Sequence, residues 1–169
     1  IAPRSGLLRV REFTMAEIEY FVDPENKDHK KFHYVKDIKV PVWTADAQMN
    51  HKPIISDKTM EELVSEKVIS NQTLAYFMAK TYLFLIGIGI RKEGIRFREH
   101  TEKEKAHYSS GCFDAEVETS YGWVEVAGHA DRTCYDLSHH QQGSGVELVA
   151  SRPLKEPITK TIIKLTENN

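Results

Sequence analysis

Residues Phe113 to Gly128 constrain this chain most. Phe113-Asp114-Ala115-Glu116-Val117-Glu118 alternates with period two and puts Phe113, Ala115 and Val117 on one face. Thr119-Ser120-Tyr121-Gly122 carries turn residues, and Trp123-Val124-Glu125-Val126-Ala127-Gly128 runs back as a second strand. Such a pair reads as a β-hairpin with one apolar face, and that face needs another layer to cover it. Glu125 shares parity with Trp123 and Ala127, which places a carboxylate on a face that is otherwise apolar or small. A charge buried there needs a partner. Arg132 is the structural option; a divalent cation or a ligand is the functional one, and Gly128 would let either approach closely.

A core helix is legible upstream. Leu74, Phe77, Met78, Thr81, Tyr82, Leu85 and Ile86 recur at helical spacing after a cap at Ser70 or Asn71, and Gly87 and Gly89 end the run. Burying such a stripe contributes about 1.5–3 kcal/mol per large side chain, so it is a core stripe and not a cofactor box. A shorter helix is expected from a cap at Ser56 or Asp57 to near Ile69, with Met60, Leu63, Val64 and Val68 inward. Val40-Pro41-Val42-Trp43 reads as an edge strand because proline cannot donate to a ladder, and Met49 to Pro53 reads as a loop. Ile95-Arg96-Phe97-Arg98 is extended again. The bland reading of these elements is a soluble α+β domain whose charged strands are structural.

The opening run, Arg9 to Phe21, mixes apolar, cationic and anionic residues. If it is a strand, Arg9, Arg11, Phe13, Glu17 and Glu19 share one face. That face offers guanidinium groups, an aromatic plane and carboxylates in order, and suits an anion with a flat ring at one end and an ammonium group at the other. The same alternation also serves plain cross-strand ion pairing on a solvated face. Residues eight apart on a straight strand lie about 26 Å from each other. One small ligand spanning Arg9 and Glu17 therefore requires the run to bend or twist, or Arg9 to reach back.

Composition removes several classes. With 169 residues and a net charge of −2, the chain suits one ordinary domain and has no global positive field for nucleic acid. Lys27, Lys30 and Lys31 form a polar loop that reads as solvated. The two cysteines make neither a disulfide framework nor a metal motif, and both are expected to be small buried fillers in a reducing compartment. His139 and His140 are adjacent, would face apart on a strand, and have no Cys or His at ligand spacing, so no metal site is expected. The most apolar window, Leu74 to Ile90, contains Lys80 and two glycines and is too short to span a bilayer comfortably, so no membrane partner is expected. The first residue is Ile and the last segment breaks off at Asn169, so the chain is expected to be a fragment of a longer protein.

Pro3-Arg4-Ser5-Gly6-Leu7 and Arg11-Glu12-Phe13-Thr14-Met15-Ala16-Glu17-Ile18-Glu19 resemble eukaryotic-type glycyl-tRNA synthetase, a class II aminoacyl-tRNA synthetase. So do Tyr121-Gly122-Trp123-Val124-Glu125-Val126-Ala127-Gly128, Ala130-Asp131-Arg132 and Tyr135-Asp136-Leu137, and the likeness runs from Ile1 to about Pro157. The resemblance implies a catalytic core on an antiparallel β-sheet with a helical insertion. Residues 1–22 would be the motif 2 loop and strand, 23–98 an insertion with a helix pair, 99–150 returning catalytic-core strands, and 151–169 the start of a further insertion or tail.

It also implies a glycine–tRNA ligase. The full-length parent, a cytoplasmic homodimer with a mitochondrial form left open, would make glycyl-adenylate from glycine and ATP, with Mg2+, and charge tRNA(Gly). Arg9 and Val10 would line the ATP site, Phe13 would stack on adenine, Glu17 would bind the ammonium of glycine, and Glu125 and Val126 would also match ATP-site positions. Arg9, Glu17 and Glu125 are thereby the catalytic candidates, and Arg4 is a candidate for the acceptor end of the tRNA. Motif 1, the Phe-Arg-x-Glu half of motif 2, motif 3 and the anticodon-binding domain are absent from these 169 residues, so the chain alone is expected to be inactive. The competing reading is a non-catalytic synthetase-like module that binds RNA or protein.

Overall fold

The computed structural model describes residues 6, 8–105, 109–151, 153 and 156–161. The chain divides into two compact units, Ile1–Thr133 and Cys134–Asn169.

In the first unit a four-stranded sheet runs in the order β1-β2-β3-β4, with β1 Val42–Trp43, β2 Ile95–Glu99, β3 Gly111–Thr119 and β4 Gly122–Asp131. The α+β class stands. The sheet is antiparallel over β2, β3 and β4, and β1 adds to β2 in parallel, so the whole is mixed. Parallel pairing follows from the long crossover between Trp43 and Ile95, which carries three helices: α1 Ala45–Met49, α2 Met60–Ser65 and α3 Gln72–Gly87.

The helix starts are side-chain caps. Thr44 accepts the Ala47 N–H at 3.1 Å and begins α1, a short helix that ends at Met49, where the sequence reads as a loop from Met49 to Pro53. Thr59, and not Ser56 or Asp57, caps α2: its hydroxyl takes the Glu62 N–H while the Glu62 carboxylate takes the Thr59 N–H, a capping box. The helix ends at Ser65 rather than near Ile69, and Lys67 adopts a φ of 62° just beyond it. Asn71 caps α3 through a 2.9 Å bond from Leu74 N–H. Gly89, at φ 101°, turns the chain away from the end of α3.

Leu74, Met78, Tyr82 and Leu85 of α3, Met60 and Leu63 of α2, and Phe97, Phe113, Ala115 and Val117 of the sheet form one buried cluster. The inward residues of β3 are those its alternation selects. His129 of β4 joins this face, hydrogen-bonded at 2.8 Å to the Thr81 hydroxyl and edge-on to Phe97. Burial pushes its imidazole below the ordinary range, towards the neutral form.

The opening run is not a strand. Residues 8–22 join no ladder, and bends fall at Arg9, Arg11 and Glu12. Even- and odd-numbered side chains are exposed alike: Phe13 at 68% and Ile18 at 74%. A strand requires a neighbour that exchanges main-chain hydrogen bonds with it. Within the described residues β4 bonds to β3 only, so the alternation at Arg9–Phe21 has nothing to fix its register.

The second unit carries α4, Tyr135–Ser144, which ends at Gly145 in the left-handed conformation, φ 69°. His139 and His140 therefore lie on a helix rather than a strand, with His139 stacked on Tyr135 at 3.9 Å. Cys134 is exposed at the start of α4, against the expectation of a buried filler, while Cys112 on β3 is partly covered.

Candidate functional site

The face of the sheet away from α3 is built of charges. Alternation along β2 and β3 sends Arg96, Arg98, Asp114 and Glu116 to the side opposite Phe97 and Ala115. Asp114 and Glu116 are buried, and each is paid for by a guanidinium. Arg96 Nε donates to Glu116 Oε2 at 2.7 Å, and Arg98 Nε to Glu116 Oε1 at 3.2 Å. Arg98 also reaches Asp114 at 3.3 Å and both oxygens of Glu104 at 3.1 Å, and His100 Nε2 meets Asp114 at 2.7 Å. The Thr101 N–H and hydroxyl, with Arg98, hold the Glu104 carboxyl down at about 2. The Arg96 guanidinium lies between two indoles, 4.4 Å from the Trp43 ring centre and 4.1 Å from that of Trp123. Cation–π contact on both faces, with the ion pair at the edge, locks Trp123 onto this surface.

Glu125 joins this charged face through a β-bulge. Glu116 is paired with Glu125 but Ala115 with Ala127, so Val126 is the extra residue and parity breaks between them. The carboxylate is exposed, contrary to the buried position that simple alternation assigns it, and it carries no burial cost. Gly128 keeps the space beside it open: a Cβ there would stand 3.9 Å from Asp114 Oδ1 and 4.0 Å from Glu125 Oε1.

Beside Glu125 lies a cleft of about 410 Å³, lined by Gly6, Leu8, Arg9, Tyr121, Trp123, Val124 and Glu125. It exists because two distant segments meet. The Arg9 guanidinium donates to the Leu8 carbonyl at 3.0 Å and to the Glu125 carbonyl at 3.3 Å, a contact across 116 residues of sequence. A fixed guanidinium, two aromatic side chains and an exposed carboxylate around one opening are able to bind a phosphorylated ring compound.

Arg9 and Glu125 are thus brought together. Val10, Phe13, Glu17 and Val126 are exposed and stand outside the cleft lining, and Arg4 lies outside the described residues. Trp123 and Tyr121 were not singled out from sequence. The available signal was Tyr121 itself, an aromatic inside a turn where small polar residues are usual. Among the described residues no group of three His, Cys, Asp or Glu is placed to hold a metal ion, and no helix is long and apolar enough to cross a membrane.

No family model matches the chain. Individual proteins do. It is 49% identical over 99% of its length to glycine–tRNA ligase of Drosophila melanogaster, covering 22% of that protein. It is 48% identical over 99% of its length to the mitochondrial glycine–tRNA ligase 1 of Saccharomyces cerevisiae, covering 24% of it. To glycine–tRNA ligase of Archaeoglobus fulgidus it is 48% identical over 94% of its length, covering 27%. The chain spans about a quarter of the length of the curated relatives it matches.

Proposed function

We propose, for a chain homologous over 99% of its length to glycine–tRNA ligases, that its parent protein activates glycine with ATP to glycyl-adenylate and transfers the glycyl group to tRNA(Gly). The observation that carries this reading is the Arg9–Glu125 contact, because it closes a cleft between the two segments whose family counterparts meet ATP.

Attack of the glycine carboxylate on the α-phosphate builds negative charge, and Arg9 stabilises it as a donor already oriented before reaction. Val10 and Val126 flank the nucleotide, and Phe13 stacks on adenine. Glu17 fixes glycine by a charge-assisted hydrogen bond to its ammonium group. A pocket with room only for a hydrogen at Cα rejects larger amino acids.

Magnesium fits as a partner of the triphosphate. Hard oxygens of phosphate and one exposed carboxylate, Glu125, suit an ion that keeps most of its water, and no protein cage is required. It would supply charge neutralisation on the phosphates. The reading takes the parent as a cytoplasmic homodimer and the chain alone as inactive.

The test is glycine-dependent ATP–pyrophosphate exchange by the full-length parent. Glu17→Ala is expected to raise the glycine KM at least tenfold, as loss of a charged hydrogen bond requires; an unchanged glycine dependence sinks the assignment. Phe13→Ala is expected to raise the ATP KM about tenfold instead, the cost of one base–aromatic stack. A parent without exchange activity falls to the non-catalytic RNA- or protein-binding reading.

A further inference from the structure

We infer that Tyr121 is a stacking seat for an unpaired nucleotide at the 3′ end of the RNA substrate, distinct from the adenine seat of ATP; this rests on the ligase reading above. Tyr121 lines the same cleft as Arg9 and Trp123, yet the residue is 83% exposed. A large ring held in water at the rim of a cleft is available for a partner, and every nucleobase presents a face that can take it.

The hairpin tip presents this ring on a fixed backbone. The Thr119 hydroxyl oxygen accepts the Tyr121 N–H at 3.1 Å, and the same hydroxyl donates to the Gly122 carbonyl at 2.8 Å. Gly122, at φ 99°, completes a turn that a residue with a side chain would strain. With the tip pinned this way, docking a base costs little ordering of the main chain.

The other aromatic of the cleft is already committed. Trp123 has one face against Arg96 at 4.1 Å, so it serves as a wall. Tyr121 has no ring contact among those described, and it stands in the turn just before β4, which begins at Gly122. With adenine seated on Phe13 in the ligase reading, this ring is left for a second base. The ligase reaction brings a second nucleotide to the cleft, because the acyl acceptor is a ribose at the single-stranded end of the tRNA. A cationic group with aromatic rings is the usual means of holding such a strand. Tyr121 supplies such a ring at the rim of the cleft.

The experiment compares two half-reactions in the full-length parent carrying Tyr121→Ala or Tyr121→Phe. Stacking predicts that Tyr121→Ala raises the KM for tRNA(Gly) in aminoacylation about tenfold, several times more than it raises the KM for ATP in glycine-dependent exchange. Tyr121→Phe, which keeps the ring and loses the hydroxyl, is expected to restore the tRNA KM. An equal rise in both KM values would give the ring to ATP and overturn the proposal, as would an unchanged tRNA KM. Filter retention of tRNA(Gly) keeps the test independent of catalysis: unaltered retention by Tyr121→Ala overturns the seat, whereas absence of exchange in the unsubstituted parent overturns only the ligase reading.

Discussion

The β3–β4 hairpin and the opening run alternate apolar and charged residues in much the same way, and only the hairpin is a sheet. In β3, Phe113, Ala115 and Val117 are buried under α2 and α3 while Asp114 and Glu116 pair with Arg96 and Arg98. In the run from Arg9 to Phe21, apolar and charged side chains are exposed together. Alternation states which residues can share a face; a face exists only where neighbouring strands fix the register and a second layer covers one side.

The contrast breaks first where the packing is tightest. Phe97 is fully buried at the centre of the sheet, and Phe97→Ala is expected to cost about 3–5 kcal/mol in denaturant unfolding. Loss of less than 1 kcal/mol would mean that the sheet does not pack in solution as described. Arg96→Ala comes next, at about 2–3 kcal/mol. It removes two cation–π contacts and one partner of a buried carboxylate, but Arg98 still holds Glu116, so the cost stays below that of an isolated buried pair. The only two tryptophans of the chain flank this guanidinium, so the same substitution should shift tryptophan emission.

Acid sharpens the comparison more gently. Burial lowers the His129 pKa in the folded chain, so above about pH 6.5 the imidazole is neutral in both states and costs nothing. As pH falls below that value the unfolded chain binds a proton that the folded chain does not, and stability is lost, by at most about 1.4 kcal/mol per pH unit. Unfolding midpoints measured from pH 7.5 to 5 check this, and His129→Gln should flatten the slope. The smallest effect belongs to the other region. Ile18→Ala is expected to change stability by less than about 0.5 kcal/mol, and a larger loss would show that the run packs against the sheet after all.

Much of the fold was legible in advance. The α3 stripe, the hairpin and its inward residues, and the start of α3 at Asn71 all follow from local spacing and capping chemistry. The start of α2 was misplaced because Ser56, Asp57 and Thr59 are all good caps, and only Thr59 has Glu62 three residues on to return the hydrogen bond. Glu125 was misassigned for a different reason. A bulge shifts parity by one, and no residue type announces it: Val126 suits a regular strand as well as a bulge. The charged face escaped because Arg96, Arg98, Asp114 and Glu116 are far apart in sequence and become one network only through register.

By itself, the amino-acid sequence determined the elements whose causes are local, the α+β class, and the kinship with glycine–tRNA ligases. Tertiary structure decided which alternating runs become strands, which carboxylates are buried against guanidinium groups, and that Arg9 meets Glu125 across 116 residues. The reason is physical. Helix caps and turns are satisfied within a few residues, whereas a ladder, a buried ion pair and a cleft each need a partner that local sequence does not supply.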